Sequence, residues 1–167
     1  MMPQHRMVSF SPLAFLDSAA LALAGAGVGQ KGKEADHNQK GLGYYKEAFS
    51  HHIPKGEQQE AERCFDLAVG EFRQAIAINP VYAEAHRNLA RVYYLRKQYK
   101  EAADEYRTLT HLEPQDVDAY VQLALTFTHL EQYDEAIRQL EVAKTRTRDP
   151  DVLSRLDGYI QKVRERK

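Results

Sequence analysis

The sequence has a single cysteine and no tryptophan, and charges of neither sign predominate. The one cysteine, Cys64, has no partner for an internal disulfide and excludes a structural zinc site built on several thiolates. Lys and Arg total 23 and Asp and Glu total 24, which gives a net charge of −1. Proteins that bind nucleic acid through phosphate contacts need a clear basic excess. The composition therefore favours a soluble globular chain that does not bind nucleic acid.

Long uninterrupted apolar runs are also missing. The most apolar stretch, residues 8–28, contains Pro12, Asp17 and two glycines. An aspartate at mid-membrane costs about 2.5–3.5 kcal/mol on insertion scales, so no integral membrane span is expected.

Residues 1–28 instead have features of a secretory signal peptide. Ala22–Ala24 and Ala24–Ala26 both have the small–x–small form of a cleavage site. Asp17 is unusual in such a segment, and the alternative is an amphipathic N-terminal helix. A cleaved signal predicts a secreted, periplasmic or cell-surface protein, and an uncleaved segment predicts a cytoplasmic one. Residues 29–36 are polar and are predicted to form a linker.

Apolar residues in the rest of the chain recur at intervals of 34 residues. The repeated positions are Ala68, Ala102 and Ala136; Phe72, Tyr106 and Leu140; and Ala75, Leu109 and Ala143. Within each interval the apolar residues have helical spacing in two runs of about 14 residues. One such pair of helices cannot bury its apolar face alone, so neighbouring pairs must stack.

This pattern resembles the tetratricopeptide repeat (TPR) family. Residues 83–116 and 117–150 are two full units that carry the large, Leu, small and aromatic positions of the family motif: His86, Leu89, Ala90 and Tyr93, then Tyr120, Leu123, Ala124 and Phe127. His86 stands where the family usually has Trp. Pro150 comes two residues late, which predicts a slightly longer last turn of that unit. The resemblance implies an all-α, right-handed helix-turn-helix solenoid of about three repeats, with residues 151–167 as a capping helix.

The first unit, residues 37–82, departs from the 34-residue pattern. Gly41 and Ala68 are 27 residues apart, where the later units have 12 between the same positions. Residues 53–56 (Ile-Pro-Lys-Gly) place the turn near the middle of the excess. We therefore predict a first hairpin about two turns longer than the others, which projects from the stack. The alternative is an insertion without helical structure around residues 51–59.

The resemblance also implies a concave groove lined by the first helix of each unit. The groove residues it assigns are Arg87, Arg91, Tyr94, Leu95, Val121, Leu125, Thr128 and His129. Arg87 and Arg91 lie four apart and present planar donors suited to a carboxylate. The alternative is that both pair with Glu84 and solvent. The chaperone-binding carboxylate clamp of this family needs Lys and Asn at set positions, and Val121 and Leu125 do not fit that pattern.

Signatures of catalytic chemistry are lacking. We find no Gly-rich phosphate loop, no His-Glu-x-x-His and no nucleophile elbow. His51 and His52 are adjacent, so an α-helix would point them in different directions. The basic residues of the capping helix are expected to lie near its negative end. We expect no enzyme activity, no cofactor and no metal site.

Two functions fit these features. The first is an adaptor that binds a protein or peptide segment in its groove, for assembly of an envelope or cell-surface complex. The alternative is a structural protein that self-associates into oligomers or filaments through its repeat ends and its long first hairpin. The predicted assembly surface of that hairpin is Tyr45, Phe49, Ile53 and Phe65.

Overall fold

A computed structural model describes residues 32–167, in which the chain forms only helices and the turns between them. The helices are α1 (α-helical over Lys33–Glu47, π-helical over Ala48–His52 and α-helical again over Ile53–Lys55), α2 (Gln58–Ile78), α3 (Ala83–Leu95), α4 (Tyr99–Leu112), α5 (Val117–His129), α6 (Tyr133–Thr145) and α7 (Pro150–Arg164). None of these helices is long and apolar enough to cross a membrane. The predicted signal peptide and the first residues of the predicted linker lie outside the described residues.

The helices pair in the order of the chain. α1 packs on α2, α3 on α4 and α5 on α6, and the second helix of each hairpin packs on the first helix of the next. α7 continues the series by packing on α6. This architecture is the all-α helix-turn-helix solenoid that the repeat predicts.

One type of turn closes all three hairpins. Gly56, Lys97 and Glu131 occupy equivalent places and have positive φ angles of 73°, 60° and 59°. The residue after each of them donates its backbone N–H to a carbonyl five residues earlier, as at many helix C-termini: Glu57 to His52 at 3.0 Å, Gln98 to Tyr93 at 2.9 Å and Gln132 to Phe127 at 2.9 Å. Glycine adopts this conformation without steric cost, which makes Gly56 the natural turn residue of the first hairpin.

The first hairpin is longer than the others, as predicted. The three segments of α1 have 15, 5 and 3 residues and α2 has 21, whereas α3 to α6 have 13 or 14 each. Residues 51–59, the site of the alternative unstructured insertion, belong to the two helices and their short turn. α1 begins at Lys33, inside the predicted linker 29–36. Glu34 and Asp36 lie in its first turn, where the helix dipole favours negative charge.

Close contact between paired helices is made at small residues. Ala90, Ala102, Ala124 and Ala136 are buried, and so are the large residues that fill the space between helices, Tyr93, Tyr106, Phe127 and Leu140. In the first hairpin Gly41 occupies the position of the small residue. A Cβ atom added there would lie 2.6 Å from Cε1 of Phe72. Only glycine lets α1 approach the Phe72 ring this closely.

Pro150 does not extend the last turn of the third unit, contrary to the sequence prediction. α6 ends at Thr145 and has 13 residues, and Pro150 instead opens α7. Proline suits this first helical position because it has no N–H to leave unpaired. Asp149 caps the same end by accepting hydrogen bonds from the backbone N–H groups of Asp151 and Val152.

Candidate functional site

The first helices of the hairpins, α1, α3 and α5, line a pocket of about 320 Å³. Its walls include Tyr45 and Phe49 from α1, Arg87, Arg91, Tyr94 and Leu95 from α3, and Asp118 and Gln122 from α5. The structure therefore brings together the four groove residues assigned to α3. It also adds Tyr45 and Phe49, which the sequence assigned to a separate assembly surface.

Two further pockets lie between α5 and α7. One, of about 290 Å³, is lined by Val117, Asp118, Val121, Val152, Arg155 and Tyr159. The other, of about 170 Å³, is lined by Leu125, Thr128, Leu140, Tyr159, Lys162 and Arg166. Asp118 is shared by the first and second pockets, and Tyr159 by the second and third. The three pockets thus adjoin one another along the first-helix face, and together they are called the groove.

Helix α7 forms one wall of this groove as well as covering the last hairpin. Its groove-facing residues are Arg155, Tyr159 and Lys162, and Arg166 follows in the turn after its end. The sequence prediction missed them because it treated the basic residues only as partners of the helix dipole. Their spacing of four, three and four residues is that of one helix face, and this signal was available in the sequence.

Arg87 does not have the role predicted from its position. Its Nη1 donates to Asp116 Oδ2 at 2.6 Å, and its Nη2 donates to Glu113 Oε2. Burial alone would lower the pKa of this guanidinium, but the hydrogen bond and charge of Asp116 outweigh it and the pKa is raised. Glu84, the partner in the alternative prediction, instead accepts a hydrogen bond from the Tyr82 hydroxyl. Arg87 therefore links α3 to the loop before α5.

Arg91 is the accessible arginine of the predicted pair. It is exposed, and its guanidinium carbon lies 5.9 Å from the centre of the Tyr45 ring. Within residues 32–167 it forms no ion pair with a carboxylate. A cation held over an aromatic face at this distance is oriented and still free to accept a charged partner.

Tyr94 and His129 form an aromatic cluster with Tyr99, at one end of the groove. The rings of Tyr99 and His129 stack with centroids 4.5 Å apart, and Tyr94 meets both rings edge-on. Tyr99 was not among the predicted groove residues because it belongs to a second helix. The cluster therefore joins the C-terminal ends of α3 and α5.

The residues of the predicted assembly surface do not all lie on the surface of the protein. Phe65 is only 4% exposed and packs beside Tyr45, so it is a core residue and not a surface residue. The prediction was wrong here because α1 and α2 pack along the full length of the long hairpin, which turns Phe65 inward. Phe49 and Ile53 remain exposed, at 51% and 46%, and Phe49 stacks on Tyr45 at the mouth of the first pocket.

The groove carries mainly positive charge. Arg91, Arg155, Lys162 and Arg166 line its pockets, and none of them forms an ion pair in the described part of the chain. Asp118 is the one carboxylate among the described residues that line these three pockets. The groove therefore combines apolar walls with unneutralised cations.

Comparison with solved structures identifies the same architecture in several domains. The N-terminal domain of stress-induced protein-1 (STI-1) from C. elegans superposes with a TM-score of 0.62 at 14% identity, covering 78% of this chain and 97% of that chain. The second TPR domain of human RPAP3, in complex with an HSP70 peptide, has a TM-score of 0.62 at 17% identity, covering 81% and 98%. The TPR2B domain of yeast Sti1, in a complex with pHsp70, has a TM-score of 0.60 at 17% identity, covering 81% and 98%. At these low sequence identities, the structural similarity shows a shared fold alone.

Sequence comparison assigns the family. No curated protein matches the chain significantly. Two family models, both described as tetratricopeptide repeat, match residues 57–110 and 94–155. The matched ranges overlap and cover the long second helix and both full units. Together with the helical solenoid, they show that the chain belongs to the tetratricopeptide repeat family.

Proposed function

We propose that this protein is a non-enzymatic adaptor that binds an acidic segment of another protein in the groove between α1, α3, α5 and α7. The observation that carries the proposal is the set of unpaired cations along a groove with apolar walls. A partner segment with carboxylates and aliphatic side chains would match both features. The human neighbour described above holds the HSP70 peptide SGPTIEEVD on the same fold, and this peptide has the mixed composition.

Arg91 is the residue on which the proposal depends most. We expect Arg91→Glu to weaken binding of an acidic peptide at least tenfold, because it replaces the exposed cation of the first pocket by a negative charge that repels the peptide. A random peptide library selected on the immobilised full chain should first enrich Asp and Glu together with aliphatic residues. Fluorescence anisotropy with a selected peptide then measures the effect of the variant.

Arg138 offers a matched control. It is an exposed arginine on α6, outside the three pockets, and it pairs only with Glu135 within its own helix. Arg138→Glu changes the net charge by the same amount and should leave the affinity within about twofold. Equal losses in both variants would mean that overall charge and not the groove attracts the peptide. A library that yields no acidic enrichment would refute the proposed partner chemistry.

The proposed setting is an envelope or cell-surface complex, and it rests on the predicted signal peptide over residues 1–28. The mass of the intact protein from its native host tests that prediction directly. A chain that still begins at Met1 would remove the support for an exported adaptor, without affecting the groove.

Self-association is the alternative function, and the exposure of Phe49 and Ile53 on the long hairpin favours it. Exposed apolar surface of this kind often marks an interaction site. If it does so here, light scattering after size exclusion should show a mass that grows with concentration over a hundredfold range, and Ile53→Asp should abolish the growth. Ile53 does not line the peptide pockets, so the same variant should still bind the selected peptide. A constant monomer mass would exclude this alternative.

A further inference from the structure

The π-helical segment of α1 changes which residues face the same way. Ala48–His52 is wound with hydrogen bonds between residues five apart, as shown by Ile53 N–H donating to the Ala48 carbonyl. In an α-helix, residues five apart point about 140° away from each other. The wider π-turn reduces this offset, and His52 Nε2 lies 3.8 Å from Glu47 Oε1.

Cys64 on α2 faces this pair of residues. The ligand atoms of Glu47, His52 and Cys64 all lie within 4.8 Å of one another. Cys64 is buried at 8% exposure and the His52 side chain is 15% exposed. Carboxylate oxygen, imidazole nitrogen and thiolate sulfur are the three ligand types found in zinc sites. Zinc bonds of about 2.0–2.3 Å place neighbouring ligand atoms about 3.3–3.7 Å apart, so small side-chain movements bring this set to coordinating geometry.

The other nitrogen of His52 is already held in the manner of a metal-binding histidine. His52 Nδ1 lies 2.7 Å from Glu57 Oε2, and since a carboxylate accepts, Nδ1 carries the proton. With Nδ1 engaged by Glu57, Nε2 is the ring nitrogen that would bind a metal. A carboxylate that orients the imidazole from behind is the usual outer partner of a metal-ligating histidine.

The charges around Cys64 also favour a cation. Glu47 places a carboxylate oxygen within 4.8 Å of the Cys64 sulfur. Glu60 lies one turn before Cys64 on α2, and its buried Oε2 has no hydrogen-bond partner among the described residues. A bound divalent cation would offset these carboxylates and stabilise the thiolate.

We propose that Glu47, His52 and Cys64 form a binding site for a divalent transition metal, with zinc as the best match to the ligand set. Three protein ligands leave a fourth position for water or for Glu60. The site would join α1 to α2 near the tip of the long hairpin. This site could not be predicted from the sequence, because neither adjacent histidines nor a Glu and His five apart suggest a metal site on an α-helix.

The full chain can be titrated with Co²⁺ and Zn²⁺ under reducing conditions. We expect Co²⁺ to produce a thiolate-to-cobalt charge-transfer band in the near ultraviolet, and Zn²⁺ to displace it. Cys64→Ser should abolish the band, and His52→Gln and Glu47→Gln should each weaken Zn²⁺ binding at least tenfold. Glu57→Gln should weaken it by about 10- to 100-fold, as is typical for outer partners of metal ligands.

His51→Gln is the matched control, because His51 Nε2 accepts a hydrogen bond from the Lys55 ammonium at 2.9 Å and His51 is not one of the three clustered ligand residues. This variant should bind Zn²⁺ like the wild type. The far-ultraviolet circular dichroism of every variant separates loss of the site from loss of the fold. A folded wild type without the cobalt band would overturn the proposal. So would a loss in His51→Gln as large as that in His52→Gln, which would indicate adventitious binding by surface histidines.

Discussion

Replacing Phe72 by alanine is expected to destabilise the protein by about 3–5 kcal/mol, the usual cost of removing a buried phenylalanine. Phe72 has 0% exposure, and its ring lies against Gly41 where α1 and α2 approach most closely. Stabilities of single domains are about 5–15 kcal/mol, so this loss is a large share of the total. Because repeats contact only their neighbours, we expect the first hairpin to unfold before the later ones. Urea titration monitored by circular dichroism measures both the loss of stability and the earlier unfolding of the first hairpin.

Phe49→Ala is the control for this prediction. It removes the same side chain from the same hairpin at a position that is 51% exposed. We expect it to cost about 1 kcal/mol or less, as for surface positions with a single aromatic neighbour. Equal costs for the two variants would contradict the packing of Phe72 described above.

A double-mutant cycle with Gly41 sharpens the test. Gly41→Ala alone should destabilise the protein by about 1–3 kcal/mol, because its Cβ would overlap the Phe72 ring. In the Phe72→Ala background the overlap is gone, and the higher helix propensity of alanine should stabilise α1 by about 1 kcal/mol. The substitution thus changes sign between the two backgrounds. The same sign in both would mean that the glycine is required for another reason.

The contact between Gly41 and Phe72 also shows what could be predicted from the sequence. The 34-residue spacing places Phe72 in register with Tyr106 and Leu140, and the small residue opposite it follows from the repeat. Regular spacing therefore predicted the stacked helix pairs and the long hairpin, and the family resemblance predicted which helices face the groove. These features depend on periodic apolar positions, which the sequence displays directly.

Features that depend on particular tertiary partners could not be predicted in this way. Arg87 lies at a groove position, but its partners Glu113 and Asp116 come from the following loop. Phe65 continues an apolar stripe, and only the full pairing of α1 with α2 decides that the stripe is internal. The π-turn in α1 likewise has no counterpart in the apolar periodicity. In each case the observed arrangement depends on contacts with side chains distant in sequence, and local spacing does not determine those contacts.

Two hydrogen-bonded pairs, each of one histidine and one glutamate, were also not predicted from the sequence. His37 Nδ1 lies 2.6 Å from Glu71 Oε2 in the first hairpin, and His86 Nδ1 lies 2.6 Å from Glu105 Oε2 in the second. Glu71 and Glu105 are 34 residues apart, so they occupy the same repeat position. The third unit has Tyr120 and Gln139 at the places of His86 and Glu105.

His86 must be doubly protonated to make its two observed contacts. Its Nε2 lies 3.0 Å from the Pro80 carbonyl oxygen, and its Nδ1 faces a carboxylate. Both partners only accept, so both ring nitrogens donate and the ring is an imidazolium. The hydrogen bond to Glu105 raises the pKa of His86 above its usual value near 6.5, although burial acts in the opposite direction.

This assignment makes the stability of the fold depend on pH. Because the pKa is higher in the folded than in the unfolded chain, the contribution of His86 is complete below about pH 6.5 and is lost as the pH rises through the folded value. We expect the loss to be about 1.5–3 kcal/mol, as for hydrogen bonds to charged groups. Urea titrations between about pH 5.5 and 8.5 measure it as a fall in the free energy of unfolding.

The third unit supplies the control for this pH effect. Tyr120 has the place of His86, and its hydroxyl donates to the Pro114 carbonyl at 3.4 Å, the counterpart of the bond to Pro80. The double variant His86→Tyr with Glu105→Gln therefore gives the second unit the same uncharged pair, Tyr and Gln, that the third unit has. Since all titrating groups outside this pair remain, the difference between this variant and the wild type isolates the His86–Glu105 pair. A stability difference that is constant over the whole pH range would show that the pKa of His86 is the same in the folded and unfolded chain, and it would contradict the prediction.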